Sequence, residues 1–367
     1  MNTVRRLIHG EILRAVAFVA VAFLTLFLFF DLVDELQNTQ RYAATGYRMG
    51  HALLYIALKI PTHLYELAPI SVLIGSIFVM ARFAQSSEYT ILRTGGLGPW
   101  RALSMLFQLG LPLVLVTFLL GDYLSPMAEK QAQLIKARFF GQLSVGQTGA
   151  WLKEKREGQQ RVVNIKSLDN QMQMQLVRIQ AFDADGQLRR LIDARSGRFQ
   201  SDHWLLEEVR DQQFINSSPG QLAVKSSSQA TMRWDSDISV DMVSAALISP
   251  DRMKTWDLFQ YIRHLSQNNQ NAQRYEIEFW RKLFYPLSCL VMLSMALPFA
   301  YLHFRSGNIA GHVFGGVLAG ISFHLLNNLF GHIGTLQNWQ PMLASAAPSL
   351  LYCLISLATF WWLVLRH

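Results

Sequence analysis

Apolar residues gather into six blocks along the chain, three before and three after a long hydrophilic stretch from Asp122 to Arg274. The blocks are Ile12–Val33, Leu64–Ala81, Ala102–Gly121, Trp280–Leu302, Ile309–Phe330 and Met342–Leu365. Each approaches the length that crosses a hydrocarbon layer of about 30 Å. Backbone groups in lipid must pair internally, so each block is predicted to be a helix. The second is the least uniform, because Pro61, Glu66, Pro69 and Ser71 interrupt its outer end. Arg5, Arg6 and Arg14 lead into the first block as they would into a secretory signal. Its apolar core is too long for that, and Asp31-Leu-Val-Asp34-Glu35 follows in place of a small-residue cleavage site, so a retained span is expected.

The hydrophilic stretch alternates apolar and polar residues with the period of a strand at Gln160–Lys166, Met174–Phe182, His203–Val209 and Leu222–Lys225. Turn-prone clusters at Asp183–Gly186 and Ser217–Gly220 separate them. Short strands without intervening amphipathic helices point to an antiparallel sandwich or jelly roll. Met253–Gln267 and Gln270–Trp280 read as helices leading into the fourth span, with Trp256, Phe259, Ile262 and His264 or Leu265 approximating one face. The expected fold class is an α-helical membrane protein with six transmembrane helices and an inserted antiparallel β-jellyroll domain outside the membrane. Its expected parts are spans one to three at 1–121, the β domain at 122–252, connecting helices at 253–279, and spans four to six at 280–367.

The distribution of charge sets the expected orientation. With both ends cytoplasmic, the inner side holds Arg5, Arg6, Arg14, Arg82, Arg93, Arg101, Arg305 and Arg366, whereas the outer short loops hold only Arg41, Arg48 and Lys59. The net charge of +8 is thereby largely topological, and no nucleic-acid partner is expected. Cys289 and Cys353 both fall in spans and read as structural thiols. The β domain offers no convergent catalytic set. His203 is its one histidine, Asp183, Asp185 and Asp193 read as turn and surface acids, and Trp151, Trp204 and Trp234 suit a sheet core better than a sugar site. No metal or cofactor is expected on this chain, and no enzymatic activity.

Three regions carry candidate function. Between the second and third spans, roughly Gln85–Arg93 forms a short predicted helix (within about 83–94) that ends at Gly95-Gly96, a plausible C-cap. It is either a plain hairpin or a rigid element seated in a partner. The chain has no Walker sequence, so an ATP-driven process would need its engine on another chain. The fifth span is the least oily. Gly311, Gly315, Gly316 and Gly320 permit close packing, while His312, His324, Asn327 and Asn328 are costly unless paired. His312, Gly316, Gly320, His324 and Asn328 recur every four residues, a ridge for helix packing, for substrate passage, or for both. At the outer ends of the first two spans stand Asp31, Asp34, Glu35, Arg41, Arg48, Lys59 and Glu66, whose cations would suit anionic headgroups.

Taken together, the sequence resembles the LptF/LptG family of lipopolysaccharide-export permeases over nearly its whole length, and the LptG branch more than the LptF branch. Met80-Ala-Arg-Phe-Ala-Gln-Ser-Ser-Glu88 with Gly95-Gly96 looks like the family's coupling helix and exit. Asp31-Leu-Val-Asp34-Glu-Leu36, Gly121-Asp-Tyr-Leu-Ser-Pro126 and the run Gly315–Gly331 look like its first-span end, its third-span exit and its fifth span. The resemblance implies an inner-membrane complex with the paralogue LptF, two copies of the ATPase LptB, which use Mg-ATP, and the single-span LptC. Glu88, Ile91, Leu92 and Arg93 would couple to the ATPase. Asp31, Gly316, Gly320, His324, Asn327 and Asn328 would line a lateral interface. Lipopolysaccharide would be extracted from the outer leaflet and passed to a bridge continuing through LptA. Some family members carry a basic residue where this chain has Asp31, so Arg41, Arg48 or Lys59 would supply the headgroup charge. The competing expectation is a membrane scaffold whose β domain assembles periplasmic proteins without moving lipid.

Overall fold

The computed structural model describes residues 2–86, 88–140, 149–156, 159–169, 173–183, 185–200, 202–218, 221–240, 242–243, 249–301 and 309–362. The chain forms two compact units, one made of Met1–Leu36, Ile56–Ala128 and Glu276–His367, the other of Gln37–Tyr55 and Glu129–Tyr275.

The first unit is helical. Helix α1 (Asn2–Arg41) is followed by α2 (Met49–Gln85), α3 (Glu88–Thr94), α4 (Pro99–Leu119) and α5 (Ser125–Phe140), of which α1, α2 and α5 have residues in both units. Among the described residues five helices are long and apolar enough to cross a membrane, or six if one bent pair counts as a span. The helix that holds the second predicted span is longer than that span: α2 continues through Pro61 and Pro69. Pro69 offers no N–H to the preceding turn, and the Tyr285 hydroxyl donates to the Glu66 carbonyl in that turn (2.6 Å), the kind of outside partner that lets a proline persist in a membrane helix. Most of the apolar window of α2 is buried, while that of α1 is nearly all uncovered. The two cross at Gly75, where a Cβ would lie 2.7 Å from the Val16 backbone nitrogen.

The helix of the third predicted span continues past Gly121. A single π turn, Leu120–Leu124, joins α4 to α5, so the helix continues where the β domain was expected to begin. A π turn leaves carbonyls without their usual partners. Lys282 donates to the Gly121 carbonyl (3.2 Å), and the Tyr65 ring occupies the space a Gly121 side chain would need.

In the second unit, β1 (Ala150–Arg156), β2 (Gln159–Leu168), β3 (Met174–Phe182), β4 (Leu188–Gln200), β5 (His203–Ser218) and β6 (Gln221–Trp234) form one antiparallel sheet. Among the described residues each pairs with its neighbours in sequence, in the order β1-β2-β3-β4-β5-β6. Alternation says which residues share a face but not which strands become neighbours. The alternation itself shifts phase. Met174 is buried, then Val177, Ile179 and Ala181; Trp204 and Leu206 are buried, then Val209. The phase changes at Leu176 and Glu208, both at positive φ, while the strand pairing keeps one register on either side of them. Trp204 and Trp234 lie opposite each other in the core, and the Trp204 indole donates to the Ile238 carbonyl at 2.8 Å. Trp151, expected in the core, is half exposed.

Helix α6 (Thr255–Gln267) buries Leu258, Tyr261, His264 and Leu265, while Trp256 and Phe259 stack on each other at its exposed face. The face predicted from sequence is therefore rotated. The helix carries two overlapping apolar stripes, and only packing selects the inner one. Helix α7 (Gln273–Phe284) and α8 (Ser288–Ala296, continued by a tight turn Leu297–Tyr301) make up the fourth span, bent by 47° around Pro286. Helices α9 (Ile309–Leu336) and α10 (Pro341–Phe360) complete the first unit, with α8 packed against α4 and α10.

Candidate functional site

Where α2 hands over to α4, the chain builds a short, firmly terminated helix. The Leu97 N–H donates to the Leu92 carbonyl (3.0 Å) and the Gly96 N–H to that of Arg93 (3.1 Å), with Gly96 at φ +97°. This is a Schellman end, in which only glycine takes the left-handed position without cost. Leu92 and Leu97 pack into the bundle core, so the closing turn is also seated. Pro99 then starts α4. The predicted terminator at the Gly-Gly pair is thus observed.

The four coupling candidates on α3 divide. Glu88 and Ile91 are exposed, Ile91 at 68%. Leu92 is turned inward. Arg93 places its guanidinium 5.5 Å from the centre of the Tyr301 ring. Tyr89, buried, donates to the Tyr301 hydroxyl at 3.1 Å. Burial and that hydrogen bond push the Tyr89 phenol well above its ordinary range, so it stays neutral.

A second polar cluster joins α1 to α2. Lys59 Nζ donates to Asp31 Oδ1 (2.9 Å), and His63 Nε2 meets Asp31 Oδ2 (2.6 Å). Phe27 packs on the His63 ring, with centroids 5.3 Å apart. Lys59, predicted as a headgroup cation, is therefore an internal partner of Asp31, and both are largely buried. Arg41 and Arg48 remain exposed, in the second unit. The same unit holds an aromatic nest of Tyr47, His51 and Phe139, and Lys136 lies 4.1 Å from the Tyr55 ring.

A third cluster links the fourth and fifth spans. Arg281 bridges Glu278 (3.2 Å) and the Asn328 side-chain oxygen, and Asn328 in turn meets His324 Nε2 at 3.2 Å. Asn327 is buried. The fifth-span glycines look inward: a Cβ on Gly316 would lie 2.8 Å from Ile77 and one on Gly320 3.1 Å from Ile70. They let α9 close on α2 of the same chain. The outward face of α9 is instead Phe314, Leu318, Ile321 and Leu325. Sequence reasoning did not single out His63, Arg281, Lys282 or Tyr301. The dense pairing of charges at span ends was the available signal for the first three, and nothing local marks Tyr301.

The acids of the β domain are tied into structure. Asp183 caps its turn and pairs with Arg189 (2.6 Å), which hold it below the ordinary carboxylate range, and Asp193 pairs across strands with Arg178 (2.7 Å). Among the described residues no cluster of His, Cys, Asp and Glu is arranged to hold a metal.

Comparison with known proteins completes the picture. The chain is 26% identical over 350 residues to the lipopolysaccharide export system permease protein LptG of Escherichia coli K12, covering 94% of each chain. It is 24% identical over 373 residues to the LptG of Haemophilus influenzae, covering 100% of this chain and 99% of that one. The sequence pattern described as lipopolysaccharide export system permease LptF/LptG matches residues 6–362. With its apolar spans, its separate antiparallel β domain and its capped α3, the chain belongs to the LptF/LptG family: a multi-pass inner-membrane permease subunit of lipopolysaccharide export, with a periplasmic domain.

Proposed function

We propose that this chain extracts lipopolysaccharide from the outer leaflet of the inner membrane and delivers it to a periplasmic protein bridge, driven by a separate ATPase. The observation that carries this reading is α3, a helix locked to the bundle on one side and offering Glu88 and Ile91 on the other. An exposed carboxylate beside an exposed aliphatic side chain suits a groove on a soluble partner. That partner is LptB, in two copies, and Mg-ATP belongs to it. The paralogue LptF faces the uncovered side of α1 and the outward side of α9, and LptC and LptA extend the route.

Both termini lie in the cytoplasm, in keeping with the arginines that flank the inner loops. The headgroup is met by Arg41 and Arg48, with Lys59 taking part once Asp31 releases it. Asp31 and the face of α9 that includes His324 and Asn328 border the lateral opening, while Gly316, Gly320 and Asn327 support it from inside. Register shifts at Ala181/Phe182 and Asn216/Ser218 bend strands of the periplasmic sheet, which favours the jelly-roll form of this family over a flat sheet.

The test is Glu88→Ala in the assembled complex in nanodiscs. We expect lipopolysaccharide release to fall by roughly tenfold or more, as for loss of a charge-assisted contact. Release at the wild-type rate from Glu88→Ala, or without any ATPase, would overturn this reading.

A further inference from the structure

Helix α3 is joined through the chain to α2 and α4, but its side chains reach a third element. Tyr89 and Arg93, one turn apart on α3, both engage Tyr301, where the tight turn after α8 ends. The hydroxyls bond at 3.1 Å, the rings meet edge-on with centroids 5.1 Å apart, and the Arg93 guanidinium lies 5.5 Å from the Tyr301 ring. A cation over an aromatic face and a phenol pair with one buried member are directional contacts, unlike aliphatic packing that slides.

We propose that Tyr301 is a positioning residue that passes displacement of α3 into the fourth span. This rests on the reading of α3 as the ATPase-docking helix. The spans on either side of α3 follow it through covalent connection. The fourth span packs on α4, but Tyr301 is where side chains of α3 grip it directly. From there the route is short and stiff. Tyr301 ends the turn that continues α8, α8 leads back to the bend at Pro286, and beyond the bend Arg281 of α7 holds Asn328 of α9. Movement at α3 thereby reaches the helix whose outer face borders the lateral opening. In this arrangement Arg93 serves the inside of the bundle, leaving Glu88 and Ile91 to the partner.

The experiment compares Tyr301→Phe, Tyr301→Leu, Tyr89→Phe and the Tyr89→Phe/Tyr301→Phe pair in the full complex with its ATPase, in nanodiscs carrying lipopolysaccharide. Copurified ATPase, ATP hydrolysis and lipid released per ATP are measured separately. The expected result is ATPase retained, hydrolysis changed by less than about twofold, and release per ATP lowered roughly fivefold by Tyr301→Phe, the scale of one hydrogen bond. Tyr301→Leu, which also removes the ring from Arg93, is expected to lower it roughly tenfold or more. The double phenylalanine variant should be no worse than either single one, because each removes the same bond. Release per ATP at the wild-type level in Tyr301→Leu would overturn the proposal, as would additive losses in the pair. Should Tyr301→Leu not assemble, Tyr301→Phe decides, and loss of the ATPase from that variant would mark a purely structural residue and also overturn it. Failure of the docking reading itself looks different: Glu88→Ala would then release lipid normally.

Discussion

The Asp31 cluster gives the sharpest quantitative expectation. One carboxylate accepts from Lys59 at 2.9 Å and from His63 at 2.6 Å, with the Asp31 side chain 15% exposed and that of Lys59 24%. Asp31→Ala would strand both partners. Hydrogen bonds to a charged group contribute about 1.5–3 kcal/mol each. A quarter-exposed lysine on a flexible stem can turn its ammonium toward headgroups and water, which offsets part of that loss. The expected net destabilisation is therefore about 2–3 kcal/mol. Lys59→Met alone should cost less, because Asp31 keeps His63. The double variant should regain much of the loss, since exchanging both members of a buried pair for apolar side chains is often near neutral. Heat-induced unfolding in nanodiscs, run as a double-mutant cycle, measures this directly. An interaction below about 0.5 kcal/mol would refute the pairing. The functional counterpart is lipid crosslinking from a photoreactive residue beside Lys59: Asp31→Asn should raise it, and an unchanged yield would remove Asp31 as the restraint on Lys59.

Two further outcomes follow from the structure. Gly121→Val should destabilise the protein by about 1–3 kcal/mol, because its side chain overlaps the Tyr65 ring at the π turn. Tyr65→Ala should rescue it in the same thermal assay. Burial holds His264 of α6 below the ordinary imidazole range, against the opposing pull of Asp237. An unfolded histidine takes its proton near pH 6.5, so the folded unit favours the neutral ring. Its stabilising contribution is complete above about pH 6.5 and is lost as pH falls from there through the lower folded value. Corrected for the slower intrinsic exchange at lower pH, protection of the α6 amides should fall between pH 7.5 and 5.5 in the wild type, and much less in His264→Leu.

What the sequence determined on its own is what local physics encodes. Runs such as Ala102–Gly121 are long and apolar enough that only a helix satisfies their backbone in lipid. Gly95-Gly96 stops α3 because one of them must take a left-handed backbone, as Gly96 does. Alternation at Met174–Phe182 makes a strand whatever its neighbours. The tertiary structure decided every question of partnership. Asp31 and Lys59 stand 28 positions apart and looked like two separate sites, until the crossing of α1 and α2 made them one. The ridge of Gly316 and Gly320 could have served any helix, and α2 took it. Trp256 and Phe259 lost the inner face of α6 to Leu258 and Tyr261 because packing, not hydrophobicity, selects between two apolar stripes. Tyr301 carries no local mark of its role, which exists only where the fold brings Tyr89 and Arg93 onto its ring. Hydropathy and turn chemistry act over a few residues and can be read in order along a chain. Pairing depends on which distant segments cross, and that is fixed only once the helices have packed.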